Sequence, residues 1–322
     1  MREFRALVDG KSHPKRWSDL IQTGIQEIRA IPPDDCHSIL LSISKALKLS
    51  PRQVHPVKVA PFAVSLLERI LDHPETEFRT KAGTFGFISR LGVDWNVHLP
   101  LETRSHVTTF LKKRFMESCE SFLDVSIDPS TLGYCCDTAV HFGLQSDDFT
   151  AIAQSNVKDH LWSMQPLALV QTVQYLNSVC LEDAPLWEQV ADRLVSDVDV
   201  FSVQNIVAIL PAVIHRTPDT WDMIESVSKS VQRRSSHLRI KDCAALLESL
   251  SRVPMEGSQA IGLVRAIQRR LTVLIATSPV RIPASDLMRI STCMSTIQVA
   301  SRKSPLSAFI STNTPILGFI GS

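Results

Sequence analysis

The chain predicts an all-α fold, an α-solenoid of stacked antiparallel helix pairs, and three observations predict it. Apolar ladders recur: Val203, Ile206, Leu210 and Val213 share one helical face, and Cys243, Leu246, Leu250 and Val253 repeat that set after about 40 residues, a step typical of helix-pair repeats. Leu287, Ile290 and Cys293 follow Leu247, Leu250 and Val253 at the same step. Between these ladders lies a second helix type, in which Trp221, Ile224, Val227 and Val231 recur, again at that step, as Ile261, Val264, Ile267 and Leu271. Composition agrees, since 11 Gly against 18 Pro suits helices broken by short turns better than β-hairpins. Two helix types alternating at such a period imply units that bury their apolar faces only by stacking on neighbours.

The elements follow in order. Residues 17–30 place Trp17, Leu20, Ile21, Ile25 and Ile28 on one face, and Pro32-Pro33 stop that helix. Asp34 or Asp35 caps the next, with Ile39, Leu40, Ile43 and Leu47 inward. A Pro-rich connector, Pro51 to Pro61, leads into FAVSLLERILD. The stretch from Phe78 to Leu91 reads as a helix whose Gly83 and Gly86 mark close contact with another helix; they follow no strand, so they make no phosphate loop. Leu101 to Phe122 is amphipathic, with Val107, Phe110, Leu111, Phe115 and Met116 inward.

Asp128-Pro129-Ser130 is a capping turn with proline at the first helical position, opening a helix through Leu132, Cys135, Ala139 and Phe142 that Gly143 ends. Asp147-Asp148 open its partner to Trp162. Pro166 opens the ladder Leu167, Val170, Val173 and Leu176, and Trp187, Val190 and Leu194 supply that ladder's partner helix. The spacing between equivalent positions drifts, from 34 between Trp187 and Trp221 to 40 between Trp221 and Ile261. These units predict one helical-repeat domain over residues 1–300, most regular over 128–297. Past Ile297 the periodicity fades into one short helix near Leu306 and a tail, 301–322.

The seven cysteines are odd in number and several sit on the ladders, the pattern of free thiols used as small hydrophobes in a reducing compartment. No window holds the roughly 18 apolar residues of a membrane span. The opening segment, Met1 to Trp17, lacks the apolar run of a secretory signal, and its basic character leaves an organelle-targeting segment as an expectation. The zinc helix, the strand-to-helix phosphate loop, the Gly-x-Ser-x-Gly elbow and the Cys-x-x-Cys pair are all missing, so no enzyme, metal site or cofactor is expected. Cys135-Cys136 with His141 is the nearest approach to a metal cluster, but adjacent helical residues point about 100° apart.

Charge is more informative. Residues 1–114 carry 18 Lys and Arg against 12 Asp and Glu, residues 115–200 carry 2 against 14, and residues 201–322 carry 14 against 7. An acidic middle between basic ends is no continuous phosphate groove. Within the basic end, Arg233, Arg234, Arg239 and Lys241 surround one inter-helix turn, and Arg265, Arg269 and Arg270 lie on the next outer helix. Stacked neighbours would bring the two groups together as a candidate RNA phosphate contact, with Lys112, Lys113 and Arg114 as a second candidate. No aromatic residue is interleaved, so base stacking is not indicated.

The repeat style of VQNIVAILPAVIHRTPDTWDMI followed by KDCAALLESLSRV resembles the degenerate helix-pair repeats of octotricopeptide, FAST kinase-like and RAP-associated organellar proteins, over roughly residues 128–297. That resemblance implies a mitochondrial or plastid RNA-binding protein, with structural subunits of protist mitochondrial ribosomes among its divergent members. The chain departs from the family in its acidic middle and in lacking a recognisable RAP segment at its C-terminal end. These departures point to a non-catalytic scaffold docked into a larger particle, its partners rRNA and neighbouring proteins. The alternative is an armadillo- or HEAT-like protein adaptor without nucleic acid.

Overall fold

The structure is a computed structural model, and it describes residues 21–22, 24–26, 28–49, 56–73, 76, 79–86, 109, 112–117, 127–217, 221–252, 258–277 and 284–302. Every secondary-structure element among these is helical, and none of their helices is long and apolar enough to cross a membrane. The expected targeting segment, the helix start at Trp17, Cys119 and the tail beyond Arg302 lie outside the described residues. The chain divides into two compact units, Met1–Val157 and Lys158–Ser322.

In the first unit α1 (Pro33–Leu49) buries Cys36, Ile39, Leu40 and Ile43. It opens on Pro33, whose fixed φ suits the first helical turn, so Asp34 and Asp35 lie inside that turn instead of capping it. The helix packs on α2 (Pro56–Leu71), where Val59, Phe62, Ala63, Leu66, Leu67 and Ile70 are wholly buried. Residues Pro56–Pro61, expected as connector, are therefore helix, with Pro61 inside it on the exposed face. An interior proline costs about 3 kcal/mol, whereas each large apolar side chain buried by α2 returns about 1.5–3 kcal/mol, so continuity of the apolar face wins.

Arg69 ties the preceding 3-10 turn to α2, donating from Nη2 to Arg29 O at 3.0 Å and from Nε to Ile31 O at 3.4 Å. Helical residues 79–86 and 112–117 meet through Phe85 and Phe115, ring centroids 5.2 Å apart and edge to face. Phe115 also faces Phe142 and Phe149, each at 6.4 Å. Gly86 does lie against another helix, since a Cβ there would sit 3.6 Å from Thr138 Oγ1, but Gly83 opens on space.

That other helix is α3 (Pro129–Phe142), which starts and stops as its sequence demands. Asp128 is the N-cap and its Oδ1 accepts from the amides of Ser130 and Thr131, both at 3.1 Å; Gly143 ends the helix at φ +61°, the left-handed conformation that glycine adopts without strain. Next comes α4 (Asp147–His160), whose Phe149, Ala153 and Val157 are buried.

The second unit holds α5 (Pro166–Ser178), α6 (Ala184–Ser196), α7 (Val203–Arg216), α8 (Trp221–Arg233), α9 (Ile240–Leu250), α10 (Ser258–Thr277) and α11 (Ala284–Arg302). Contacts run between alternate helices: α5 on α7, α7 on α9 and α9 on α11 form one row, and α6 on α8 and α8 on α10 form another. In the first row the cores align on Leu169, Val173 and Leu176 of α5, Ile206, Leu210 and Val213 of α7, and Cys243, Leu247 and Leu250 of α9, all 1% exposed or less. Val190 and Leu194 of α6, Val227 and Val231 of α8, and Ile267 and Leu271 of α10 fill the second row.

Two expected ladder members face solvent. Leu167 is half exposed because α5 starts at Pro166, which turns Leu169 inward in its place beside the expected Val170 and Val173. Trp221 is 41% exposed at the first position of α8, where Met223 and Ile224 occupy the depth that Leu186 and Trp187 occupy in α6.

Candidate functional site

The helix starts order the basic cluster. The N-caps of α3, α5, α7 and α9 are Asp128, Gln165, Ser202 and Arg239, at a constant step of 37. Just before each cap stands a buried apolar residue: Ile127, Met164, Phe201 and Leu238. Burying that side chain draws its carbonyl out of water as well, and a buried carbonyl requires a donor. In three of the four positions a side chain from the second half of the following second helix, or just past its end, supplies one. Asn156 Nδ2 donates to Ile127 O at 3.1 Å, Arg234 Nη1 to Phe201 O at 2.6 Å, and Arg270 Nε to Leu238 O at 3.0 Å.

The fold therefore does gather the predicted arginines, but largely onto internal acceptors. Arg234 also donates to Val198 O at 3.0 Å, and its neighbour Ser230 donates to Asp199 at 2.6 Å. Arg233 bridges both Asp199 oxygens at 3.1 Å from an exposed position. The Ser230 hydroxyl, then Arg233 and Arg234, hold the Asp199 carboxyl below its ordinary pKa against a smaller opposing effect of desolvation. Arg239 forks onto Asp242, Nε to Oδ2 at 2.9 Å and Nη2 to Oδ1 at 3.1 Å, while its amide donates to the same carboxylate at 3.0 Å. That hydrogen bonding raises the guanidinium pKa and stabilises the start of α9.

Arg265 is half exposed on α10, and Lys241 and Arg269 are exposed with no ion pair among the described residues. In the first unit Lys112 is half exposed, Lys113 faces Glu117 at 3.9 Å, and Arg114 pairs with Asp72 and, at 3.4 Å, with Glu117. The two candidate groups belong to different compact units.

Other polar residues that the sequence did not single out carry as much structure. Arg193, nearly buried, pairs with Asp197 and stacks 5.5 Å over the Trp162 ring. Lys158 meets Asp183 at 2.7 Å, and Asp183 caps α6 by accepting from Leu186 N at 3.1 Å. Glu248 sits between Arg252, at 3.0 Å, and Arg289; the Arg289 hydrogen bond is the main influence holding its pKa low, ahead of an opposing desolvation effect. The signal that could have found the arginines is the apolar residue before each cap, recurring at the cap step of 37.

Burial moves the thiols of Cys36, Cys243 and Cys293 away from reactivity. Cys36, Cys135, Cys136, Cys243 and Cys293 are buried and in no disulfide, and Cys180 is exposed at φ +56°. Burial pushes the Cys36 thiol up to about 11 and Cys243 up to about 12, the wrong direction for a nucleophile. His141 turns to the Asp137 carbonyl at 2.8 Å while Cys135 and Cys136 point into the core. Among the described residues no three His, Cys, Asp or Glu side chains are grouped to hold a metal ion. Comparison with protein-family models finds no match for the chain, and comparison with curated proteins finds none either.

Proposed function

We propose that the second unit is an α-solenoid, a two-row stack of antiparallel helix pairs with a 37-residue repeat, and that the chain serves as a non-catalytic scaffold subunit of a larger assembly. The observation that carries this reading is the coincidence of N-caps, preceding apolar residues and buried ladders at one spacing from Gln165 to Leu250, with alternate helices in contact. The helix starts set that register, and three added residues between α9 and α10 account for the ladder spacing of 40 in the second row. Titratable groups with shifted pKa values cap helices, pair with arginines or lie buried in the core, which suits a framework better than a reaction centre.

The resemblance in repeat style makes an organellar ribonucleoprotein, such as a mitochondrial ribosome, the proposed assembly. Phosphate contact then falls mainly to Lys241 and Arg269, because Arg233, Arg234, Arg239 and Arg270 already hold internal acceptors. The test is RNA affinity of the full chain over a salt series. Each lost phosphate contact flattens the log-log slope by about 0.7 to 0.9, so Lys241→Ala with Arg269→Ala should flatten it by roughly 1.5. Affinity indifferent to salt, or no RNA binding, overturns the RNA contact. That internal use of the arginines also favours a second reading, an armadillo- or HEAT-like protein adaptor, whose partner would survive those two substitutions.

A further inference from the structure

We infer that the outer face of α6, α8 and α10 is a self-complementary surface through which two copies of this chain pair. The inference rests on the stacked arrangement proposed above. In the second row, Val190, Val227 and Ile267 occupy one buried level, and Leu194, Val231 and Leu271 the next. The residues two positions before each of these therefore share levels on the opposite, solvent side: Glu188, Glu225 and Arg265 at one, and Asp192, Lys229 and Arg269 at the other. Across the row the face thus runs from doubly acidic on α6, through a mixed pair on α8, to doubly basic on α10.

The middle of the face is already neutral, since Lys229 Nζ lies 2.7 Å from Glu225. Glu188 and Asp192 at one end and Arg269 at the other are exposed and make no ion pair among the described residues. A two-fold axis lying in the interface along α8 keeps the helix direction and reverses the order of the row. It lays α6 of one copy over α10 of the other, so that Asp192 meets Arg269 of the partner subunit, twice over, with Glu188 and Arg265 at the adjoining level. The neutral Glu225-Lys229 pair falls on the axis, where unpaired like charges would repel. An axis along the row instead would set α6 on α6, acid against acid. The acidic and basic blocks of the sequence thus acquire a partner that each copy carries itself.

Three helices spaced about 9 Å apart and about 20 Å long give a face of roughly 500 Å² per copy, at the low end for specific pairing. A reversible, salt-sensitive dimer follows, since exposed ion pairs are screened within a Debye length of about 8 Å at physiological salt.

The test is sedimentation equilibrium of the full chain without nucleic acid. At low salt the expected result is a concentration-dependent monomer–dimer equilibrium that weakens at least tenfold in 0.5 M NaCl. Asp192→Arg alone and Arg269→Asp alone should each be monomeric. Mixed in equal amounts, those two variants should form a heterodimer, because one then presents only bases and the other only acids at the two Asp192-Arg269 contacts. Monomers throughout for the unmodified chain, a dimer that ignores both single variants, or growth beyond two copies overturns the inference. Unchanged urea midpoints for the two variants show that folding is not what was altered. The stack itself is tested separately by deletion, and RNA contact by the salt slope of Lys241→Ala alone, since Lys241 lies on α9 outside this face.

Discussion

Arg234→Ala distinguishes a structural arginine from a phosphate contact. Its guanidinium makes two strong bonds to carbonyls, 2.6 Å to Phe201 and 3.0 Å to Val198, and a longer one of 3.4 Å to Ser230. Hydrogen bonds from charged donors contribute about 1.5–3 kcal/mol each. The side chain is 25% exposed, so water can reach part of the vacated space, and the lower end of that range applies. Two such bonds give a loss of about 3 kcal/mol. With an m-value of about 2 kcal/mol/M for a unit of this size, the urea midpoint should fall by about 1.5 M with the slope unchanged. Arg270→Ala, with one carbonyl bond of 3.0 Å, should lose about half as much. Arg233→Ala removes only an exposed pair and should leave the midpoint almost unmoved. Arg234→Lys should recover only part of the loss, because a single ammonium cannot span both carbonyls. A midpoint unchanged by Arg234→Ala, with RNA affinity reduced, would refute the reasoning.

Further outcomes follow from single positions. Gln165 caps α5 with extended backbone but no side-chain hydrogen bond, so Gln165→Asp should stabilise by about 1 kcal/mol in urea titrations, and Ser202→Ala, which removes a 3.1 Å bond to Asn205 N, should cost about 1 kcal/mol. Gly24→Ala would place a Cβ 2.6 Å from the ring of the wholly buried Phe62 and should destabilise by about 1–3 kcal/mol; Gly83→Ala, helical with open space around it, should stabilise by up to about 1 kcal/mol. Stability should fall in two steps on acidification. Burial lowers the His37 pKa, so folding is opposed as pH drops below about 6.5, and His37→Gln should flatten that step. Asp128, Asp199 and Glu248 have depressed pKa values, so their contribution is complete above about pH 4 and is lost below it; Asp128→Asn should reduce that second step.

Local chemistry made much of this fold legible. Asp128-Pro129, Gly143 and Pro166 each announce a helix boundary through one residue's own conformational preference, and the structure puts boundaries there. Alternating ladders marked the two helix types, and Val203, Ile206, Leu210 and Val213 are all buried. Register was harder to see, because neighbouring apolar residues such as Ile209 with Leu210, or Leu246 with Leu247, let a ladder slide by a few positions without losing its pattern. Cap positions remove that freedom. Proline misled at Pro61, where a buried apolar face extends through a residue that usually ends helices. The basic cluster was visible as charge, but its acceptors were not: a carbonyl at Phe201 or Leu238 leaves no trace in composition, and only the fold brings Arg234 and Arg270 to it.

The most direct test of the stacked repeat is an excision in phase. Deleting residues 203–239, one 37-residue unit, joins the Ser202 cap to Ile240 and sets the α5 ladder against α9 with Val190 and Leu194 facing Ile267 and Leu271. Deleting residues 203–235 removes four fewer and leaves part of a turn before α9. The first variant should keep cooperative urea unfolding and helical circular dichroism per residue, while the second should lose cooperativity. Equal behaviour of the two, whether both folded or both unfolded, would contradict the stacked repeat.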